Sequence, residues 1–535
     1  MHRIQWFSLL LALLALKPLD AQMHYDPSPA AVVELADGKL QGAEPAPGVR
    51  AFLGIPYAKP PVGPLRWQPP QSFGPLSADR TSPRLAVAHG IPCSQQRFGW
   101  NNGSADHGTE DCLFLNVWAP AKGVNLPVMV YIHGGSNTAG SASEELSNGL
   151  ALVPRGVVLV TFDYRLGIFG FFRTPELDAR SGYDGSGNYG LMDQIAALHW
   201  VHNNIRAFGG DPGKVTLFGQ SAGAVDTGLL MASPLARGLF ARALEESGQV
   251  LGLMPTASRQ QSEDAWASVA KALGPNLDTM RHATTAEVLS AEHEAPKPPP
   301  ENFWGYRGAS VDGYVLPDLP ARIFAQGHEA PVPLLLGSNV QEIVPHGQVP
   351  TQTDHLIEYA VGAGRAPALE AIYAMLPTNP LEGDAGARFQ TDRDFRCPVR
   401  QIATWHASNG YPTFVYQFDR STGSAKAAQH SSELRFVFGF PATQLHPEAS
   451  NTSHSGSSPT EEDLKISAAL QTYWTNFAHY GSPSPAPGLP EWSRFDPSTS
   501  NYLHFVAGSE APAVAENLGG GPCLVLKNGN LPGLE

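Results

Sequence analysis

The stretch VTLFGQSAG, residues 215–223, decides how the rest of the sequence is interpreted. Residues 215–218 are apolar or β-branched, which is typical of a buried strand. The next five residues form a G-x-S-x-G pattern, in which the chain turns sharply from a strand into a helix. Glycines relieve the crowding at such a turn, and the serine hydroxyl is held above the sheet. Ser221 is therefore a candidate nucleophile.

A glycine-rich motif also has an ordinary explanation. The chain contains 54 glycines, so a G-x-S-x-G should arise by chance roughly a few tenths of a time. On that interpretation Ser221 is a small residue in a tight turn. A nucleophilic serine would need a base, an acid and oxyanion donors supplied by other parts of the chain.

The composition limits the classes of partner. The chain has 535 residues, a hydrophobic content of 42% and a formal net charge of −14. It has no block rich in lysine and arginine, which argues against binding to nucleic acid or to an anionic membrane surface. We expect an enzyme or binding protein whose partner is a small molecule, and the sequence predicts no particular oligomeric state.

The first 22 residues, MHRIQWFSLLLALLALKPLDAQ, have the pattern of a secretory signal peptide. A basic residue is followed by an apolar stretch through Leu16, then by polar residues and a small Ala21. A membrane anchor would need about 18 or more apolar residues, but this stretch ends at Lys17. We predict a signal peptide over residues 1–21, no stable membrane anchor, and secretion to an extracellular or periplasmic space.

Strand and helix patterns alternate from about residue 114 to residue 250. Residues 126–132 and 156–162 are continuous apolar runs, as expected for strands that are buried on both faces. Between residues 191 and 208 the apolar positions recur at helical spacing. This alternation predicts a parallel, doubly wound sheet with its active groups at the carboxyl ends of the strands.

The sequence HGGSNTAG begins directly after the first of these strands, at residue 133. A glycine-rich turn at this place can direct backbone N–H groups at a developing oxyanion. It can equally be an ordinary turn. Downstream of Ser221 there are many acids and several histidines, so chain order alone does not choose the acid or the base.

Five longer blocks occur in this order along the chain: FLGIPYAKPPVGPLRW (52–67), EDCLFLNVWAP (110–120), YIHGGSNTAG (131–140), DYRLGIFGF (163–171) and GNYGLMDQIAALHWVHNNIRAFGGDPGKVTLFGQSAG (187–223). Together these blocks resemble the type-B carboxylesterase family, which includes cholinesterases, bile-salt-type lipases and bacterial para-nitrobenzyl esterases. The resemblance covers nearly the whole chain after the signal peptide. It implies an α/β-hydrolase fold: a doubly wound, mostly parallel central sheet with helices on both faces and helical insertions over the active site. It also implies one catalytic domain over residues 22–535 that hydrolyses carboxylic esters without a metal or organic cofactor.

The resemblance assigns the site residue by residue. It implies that Ser221 is the nucleophile, Glu342 in GSNVQE the acid, and His430 in QHSSELRFVFGFP the base. A serine hydroxyl becomes nucleophilic when a neutral imidazole takes its proton, and a buried carboxylate stabilises the imidazolium. The oxyanion donors that the family implies are the backbone amides of Gly135, Ser136 and Ala222.

The chain has four cysteines, Cys93, Cys112, Cys397 and Cys523. In an oxidising compartment this even number suggests two disulfides, for which sequence alone leaves three pairings. The spacings contain no C-x-x-C, so a metal site is not expected. The family resemblance implies that Cys93 pairs with Cys112 and Cys397 with Cys523.

Two departures from the family bear on the substrate. Ser136 stands where many relatives have a third glycine, and Gln220 replaces the glutamate that precedes the nucleophile in cholinesterases. The short loop from Cys93 to Cys112 also lacks a secure counterpart of the choline-stacking tryptophan. We therefore expect a neutral ester. The alternatives are a catalytically inactive binding or adhesion module of the same fold, and a lipase with a mobile lid.

Overall fold

The fold is known from a computed structural model, and the signal peptide predicted for residues 1–21 lies outside the part that it describes. The long segment 446–463, which its serine and proline content predicts to be an exposed loop, is described only from residue 459. The described residues are 24–76, 82–296, 307–342, 357–358, 361–376, 381–421, 427–440, 459–526 and 531.

One large mixed sheet organises the chain, with the strand order β1-β2-β3-β5-β7-β6-β8-β9-β10-β11-β12-β13 and β4 paired to β2. Seven consecutive strands of this order, from β7 to β12, are parallel, and the pairs toward both edges are antiparallel. The strands are β1 (Pro27–Leu35), β2 (Gly38–Ala46), β3 (Val49–Pro56), β4 (Arg84–Leu85), β5 (Phe114–Pro120), β6 (Leu126–Ile132), β7 (Val158–Phe162), β8 (Gly210–Gln220), β9 (Arg242–Glu246), β10 (Leu334–Asn339), β11 (Thr413–Phe418), β12 (Tyr502–Phe505) and β13 (Ala513–Ala515).

The helices of the described residues connect these strands. The α-helices are α1 (Asn102–His107), α2 (Gly167–Phe171), α3 (Pro175–Arg180), α4 (Tyr189–Asn204), α5 (Ala222–Ala232), α6 (Arg259–Leu273), α7 (Leu277–His282), α8 (Thr285–Glu294), α9 (Pro320–Ala325), α10 (Ala366–Met375), α11 (Ala385–Thr391), α12 (Cys397–Ser408), α13 (Leu434–Val437), α14 (Glu461–Tyr480) and α15 (Gly520–Leu526). One π-helix spans Asp392–Arg396, and short 3-10 helices span Gly63–Leu65, Glu145–Ser147, Val153–Arg155, Ile205–Phe208 and Pro234–Ala236.

Both faces of the sheet are buried, as continuous apolar strands require. In β6 the side chains of Val128, Val130 and Ile132 belong to one hydrophobic core, and those of Met129 and Tyr131 belong to a second. Successive residues of a strand point to opposite faces, so the two cores lie on opposite sides of the sheet. Apolar residues of α4 and α5 pack into the first core, and those of α14 pack into the second. The predicted α/β-hydrolase architecture is confirmed.

The strand limits follow local turn chemistry. β6 has the limits predicted for it, whereas β7 begins two residues later than the apolar run suggested. The chain before β7 forms the 3-10 helix Val153–Arg155, which ends at Gly156 with a left-handed φ of 84°. A glycine adopts this conformation without steric cost, so the turn ends there and the strand starts after it.

The predicted loop over residues 446–463 is wrong at its end. Thr460 caps α14: its hydroxyl accepts from the amide of Asp463, whose carboxylate in turn accepts from the backbone of Thr460. This reciprocal capping box starts the helix inside a segment that composition marked as polar loop.

The structure contains two disulfides: Cys93 to Cys112, 19 positions apart, and Cys397 to Cys523, 126 positions apart. These are the pairings that the family resemblance implied. Within the described residues, no helix combines the length and apolar character that are needed to cross a membrane.

The order of the strands determines where a site can form. From β6 the chain crosses to β7 on one side and then to β8 on the other side of β6. The strands β6 and β8 are paired in parallel with Ile132 opposite Gly219, so the loops that follow them leave the same edge of the sheet side by side. This is a topological switch point, where ligands bind in open α/β sheets.

Candidate active site

The turn between β8 and α5 holds Ser221 in a strained conformation. Its φ is 56° and its ψ is −125°, and the residue is 6% exposed. The turn is so tight that a Cβ on Gly219 would lie 2.3 Å from the carbonyl of Gly223, so glycine is required there. Non-glycine residues avoid positive φ, and such strain persists where the surroundings over-determine it, often at functional sites.

Three side chains from distant parts of the chain form a line of hydrogen bonds. The Oγ of Ser221 lies 2.8 Å from Nε2 of His430, and Nδ1 of the same ring lies 2.8 Å from Oε2 of Glu342. Each of the three follows the carboxyl end of a parallel strand: β8, β10 and β11. The neutral ring can therefore donate from Nδ1 to the carboxylate and accept the serine proton at Nε2.

The carboxylate of Glu342 is fixed by the backbone around it. Its Oε1 accepts a 2.6 Å hydrogen bond from the amide of Asn339, and its own amide donates to Oγ1 of Thr391. The backbone amide of His430 donates to the carbonyl of Glu342. Acid and base are thus held to each other by main chain as well as by side chains, which fixes the tautomer of the imidazole.

The surroundings raise the pKa of His430 above its usual 6.5. Burial lowers that pKa, but the hydrogen bond and the charge of Glu342, together with the charge of Glu433, outweigh it. The phenyl ring of Phe395 packs on the imidazole with ring centroids 5.3 Å apart, and it projects from the π-helix Asp392–Arg396. The ring thus has a defined position, and the neighbouring carboxylates favour its protonated form.

The loop over residues 133–140, which we call the glycine loop, lies against the nucleophile. A Cβ on Gly134 would be 3.0 Å from Cβ of Ser221 and 2.8 Å from the carbonyl of Gln220. Among the described residues, the backbone amides of Gly135 and Ser136 find no protein acceptor, and the amide of Ala222 is the unpaired first N–H of α5. In the described part of the chain, all three residues thus keep a free N–H in the segments that adjoin Ser221.

A second buried carboxylate lies behind the first. Nδ2 of Asn339 donates to Oε2 of Glu433 at 2.6 Å and is 3.5 Å from Oε2 of Glu342, and the hydroxyl of Ser247 lies 3.2 Å from Glu433. Burial and the charge of Glu342 raise the pKa of Glu433 to about 7. Asn339, Ser247 and Glu433 were not among the site residues predicted from the sequence. The local signal for them is only that Asn339 and Glu433 each lie three positions from a predicted triad member.

The residue before the nucleophile is uncharged. Nε2 of Gln220 is 3.5 Å from Nε2 of His430, at the position where cholinesterases carry a glutamate. The site therefore has no carboxylate at this place to attract a cationic substrate.

Comparisons with known proteins show which families and folds this chain resembles. The model of the carboxylesterase family matches residues 29–359 and 380–519. The chain is 34% identical to the fumonisin B1 esterase of Sphingopyxis macrogoltabida over 88% of this chain and 85% of that protein. It is 33% identical to carboxylesterase 1D of Rattus norvegicus over 91% of each chain. Among solved structures, a PNB esterase superposes with a TM-score of 0.77 at 31% identity, covering 93% of this chain and all of the other.

Proposed function

The chain belongs to the carboxylesterase family and is a carboxylic ester hydrolase; from this premise we propose that it cleaves neutral esters through an acyl-enzyme formed on Ser221. The observation that carries the proposal is the line of two 2.8 Å hydrogen bonds from Ser221 through His430 to Glu342. The strained turn, the glycine loop and the raised pKa of the imidazole all bear on the same reaction.

In the first half-reaction Oγ of Ser221 bonds to the ester carbonyl carbon while Nε2 of His430 takes the hydroxyl proton. The carbonyl oxygen becomes an oxyanion that accepts hydrogen bonds from the amides of Gly135, Ser136 and Ala222. Each such donor contributes roughly 10²–10³ in rate where its geometry is right. The bond to the alcohol oxygen then breaks, and the imidazolium gives its proton to that oxygen.

The second half-reaction repeats these steps with water. His430 takes a proton from the attacking water, the hydroxide bonds to the acyl carbon, and the ester bond to Oγ breaks. The proton returns to Ser221 and the carboxylic acid leaves. Glu342 stays ionised throughout and stabilises the imidazolium.

A neutral ester is the substrate class that the site favours. The amide of Gln220 beside His430 is uncharged, so this side chain offers no negative charge to a quaternary ammonium group. A panel of para-nitrophenyl esters with neutral and cationic acyl groups tests this point. Neutral esters are expected to have the higher kcat/KM, and the opposite order would contradict the proposal.

Export from the cytosol is part of the same proposal. Two disulfides are consistent with a non-cytosolic protein, because such bonds persist in oxidising compartments. The pattern of residues 1–21, which is typical of a secretory signal peptide, supports the same proposal. N-terminal sequencing of the protein from the culture medium or the periplasm should begin near residue 22, and a chain that stays in the cytosol would contradict this part.

The central test is Ser221→Ala, assayed on para-nitrophenyl butyrate and with an organophosphonate probe that bonds to an activated serine. The variant should lose turnover and labelling together. Ser233→Ala is the matched control, because Ser233 is a buried serine at the other end of α5, about 18 Å along the helix. Turnover near that of the wild type in purified Ser221→Ala would refute the assignment, and an unlabelled wild type would favour an inactive binding module.

A further inference from the structure

The glycine loop contains two consecutive non-glycine residues in left-handed backbone conformation. Ser136 has a φ of 59° and Asn137 a φ of 56°, directly after Gly135 with a φ of 106°. Residues with a Cβ avoid this conformation because the Cβ crowds the following carbonyl. A loop of this shape needs support from outside itself if its amides are to stay beside the nucleophile.

The side chain of Asn137 supplies such support. Its Nδ2 donates a 2.8 Å hydrogen bond to Oδ1 of Asp226, and its Oδ1 accepts a 2.8 Å hydrogen bond from the hydroxyl of Tyr164. Its backbone carbonyl accepts from the amide of Gly167 at 2.6 Å. Asn137 is 1% exposed, so these bonds are made away from solvent, where an unmet partner is costly.

The other end of this contact is on the helix that follows the nucleophile. Asp226 lies in α5, five residues after Ser221, and is fully buried. Its Oδ2 accepts a second hydrogen bond, 2.5 Å long, from Nε2 of Gln194 on α4. Burial raises the pKa of Asp226 to about 7, against the hydrogen bonds from Asn137 and Gln194. Each oxygen of the carboxyl group faces one amide donor, which is the arrangement that the ionised, acceptor-only form satisfies. The bond between Asn137 and Asp226 therefore joins the two walls of the predicted oxyanion hole: the glycine loop and the start of α5.

We propose that Asn137 and Asp226 are positioning residues for ester hydrolysis, which together hold the amides of Gly135 and Ser136 at the distance from Ser221 that an oxyanion requires. This inference rests on the proposed function. Neither side chain is exposed to a substrate, so both act through the loop. Their loss weakens stabilisation of the transition state more than binding of the substrate, and it lowers kcat with little change in KM.

The hydrogen-bond pattern provides a reciprocal test. In Asp226→Asn, the new amide oxygen can accept from only one of Asn137 and Gln194, and its NH2 group faces the other donor. In Asn137→Asp, two carboxylates face each other. In the double variant Asn137→Asp/Asp226→Asn, every donor again faces an acceptor. The hydroxyl of Tyr164 and the new amide at position 226 both donate to the new carboxylate at position 137. Gln194 donates to the oxygen of the new amide.

We expect each single variant to lose about 10²-fold in kcat, the loss typical of a misplacement of about 1 Å at a reacting centre. KM should change little. The double variant should recover kcat to within roughly tenfold of the wild type. The rate of phosphonate labelling should fall in the single variants and recover in the double variant, because labelling depends on the same backbone amides of Gly135 and Ser136. It is measured on protein whose elution volume in size-exclusion chromatography matches that of the wild type.

Asn188→Ala is the matched control. Asn188 is a fully buried asparagine that also holds a loop by two hydrogen bonds, to the carbonyl and the amide of Ser310, but neither residue contacts the glycine loop. This variant should lose thermal stability and keep its kcat. If Asn188→Ala also lowered kcat, loss of any buried asparagine would have the same effect, and the inference would be overturned.

Other outcomes also decide the question. Single variants with wild-type kcat, or a folded double variant as slow as the single ones, would overturn the positioning role. Failure of the proposed function would appear separately, as turnover in the Ser221→Ala variant. If Ser221→Ala is inactive and the Asn137 and Asp226 variants are fully active, only the positioning role fails.

Discussion

Replacing Glu342 by glutamine is expected to lower kcat by about 10⁴-fold while the protein stays folded. The structure decides which way the new amide points. The amide N–H of Asn339 lies 2.6 Å from Oε1 of Glu342 and requires an acceptor there. The glutamine must therefore keep its oxygen at that place and turn its NH2 group toward Nδ1 of His430.

An NH2 group at 2.8 Å from Nδ1 reverses the tautomer of the imidazole. Nδ1 must then accept, so the ring proton moves to Nε2, which faces the hydroxyl of Ser221 at 2.8 Å. An imidazole that is protonated at Nε2 cannot take the serine proton. At about 1.4 kcal/mol for each tenfold change, a 10⁴-fold loss corresponds to about 5.5 kcal/mol of transition-state stabilisation.

The assay is single-turnover and steady-state hydrolysis of para-nitrophenyl butyrate between pH 5 and 9. The matched control is Glu329→Gln. Glu329 is another buried glutamate, and its Oε1 lies 2.9 Å from Nδ1 of a buried histidine, His406. The same imidazole contacts the carbonyl of Val332 before β10, whereas Glu342 follows the other end of that strand, roughly 16 Å away. The control should lose stability and keep kcat.

A folded Glu342→Gln variant with kcat within about tenfold of the wild type would refute the reasoning, because a reversed tautomer permits no such rate. Equal losses in Glu342→Gln and Glu329→Gln would also refute it. The effect would then come from disturbing any buried glutamate and not from the orientation of one imidazole.

Three further predictions follow from the same contacts. The raised pKa of His430 implies that kcat/KM of the wild type rises with pH as the imidazole loses its proton, with a midpoint above pH 6.5. A midpoint below about pH 6 in the pH-rate profile would contradict the effect of the neighbouring carboxylates on this pKa. Gly134→Ala should lower kcat by roughly tenfold or more, because its Cβ would lie 3.0 Å from Cβ of Ser221 and the loop must move away; unchanged phosphonate labelling would show that the loop does not face the nucleophile. Removing the disulfide between Cys397 and Cys523, 126 positions apart, should lower the free energy of unfolding by roughly 4–5 kcal/mol, as measured by urea titration. A loss under about 1 kcal/mol would show that other contacts restrain the unfolded chain there.

Local sequence patterns were enough to predict the framework of the fold. The apolar run of residues 126–132 predicted β6 with its limits, and the G-x-S-x-G turn predicted the passage from β8 to α5. These predictions succeed because strand burial and turn conformation depend on neighbours within a few residues. The predicted loop over residues 446–463 rested on serine and proline content alone. It was wrong at its end, because the capping box at Thr460 starts a helix there.

The choice of acid and base lay beyond local patterns. The chain has 18 histidines, and nothing near His430 shows that its ring meets a serine 209 positions away. The family resemblance selected it, together with Glu342, because related sequences bring the same blocks together. The structure puts the three side chains within hydrogen-bond distance, and the substitutions described above test their roles.

By itself, then, the sequence determined the alternation of strands and helices between about residues 114 and 250, the sharp turn at Ser221 and the family to which the chain belongs. Only the tertiary structure decided which polar groups face each other across elements, such as Asn137 with Asp226, 89 positions apart, and Asn339 with Glu433. An amide and a carboxylate interact over about 3 Å. Such a pair therefore exists only after the sheet has brought two separate connections to one edge, and no spacing along the chain can indicate it.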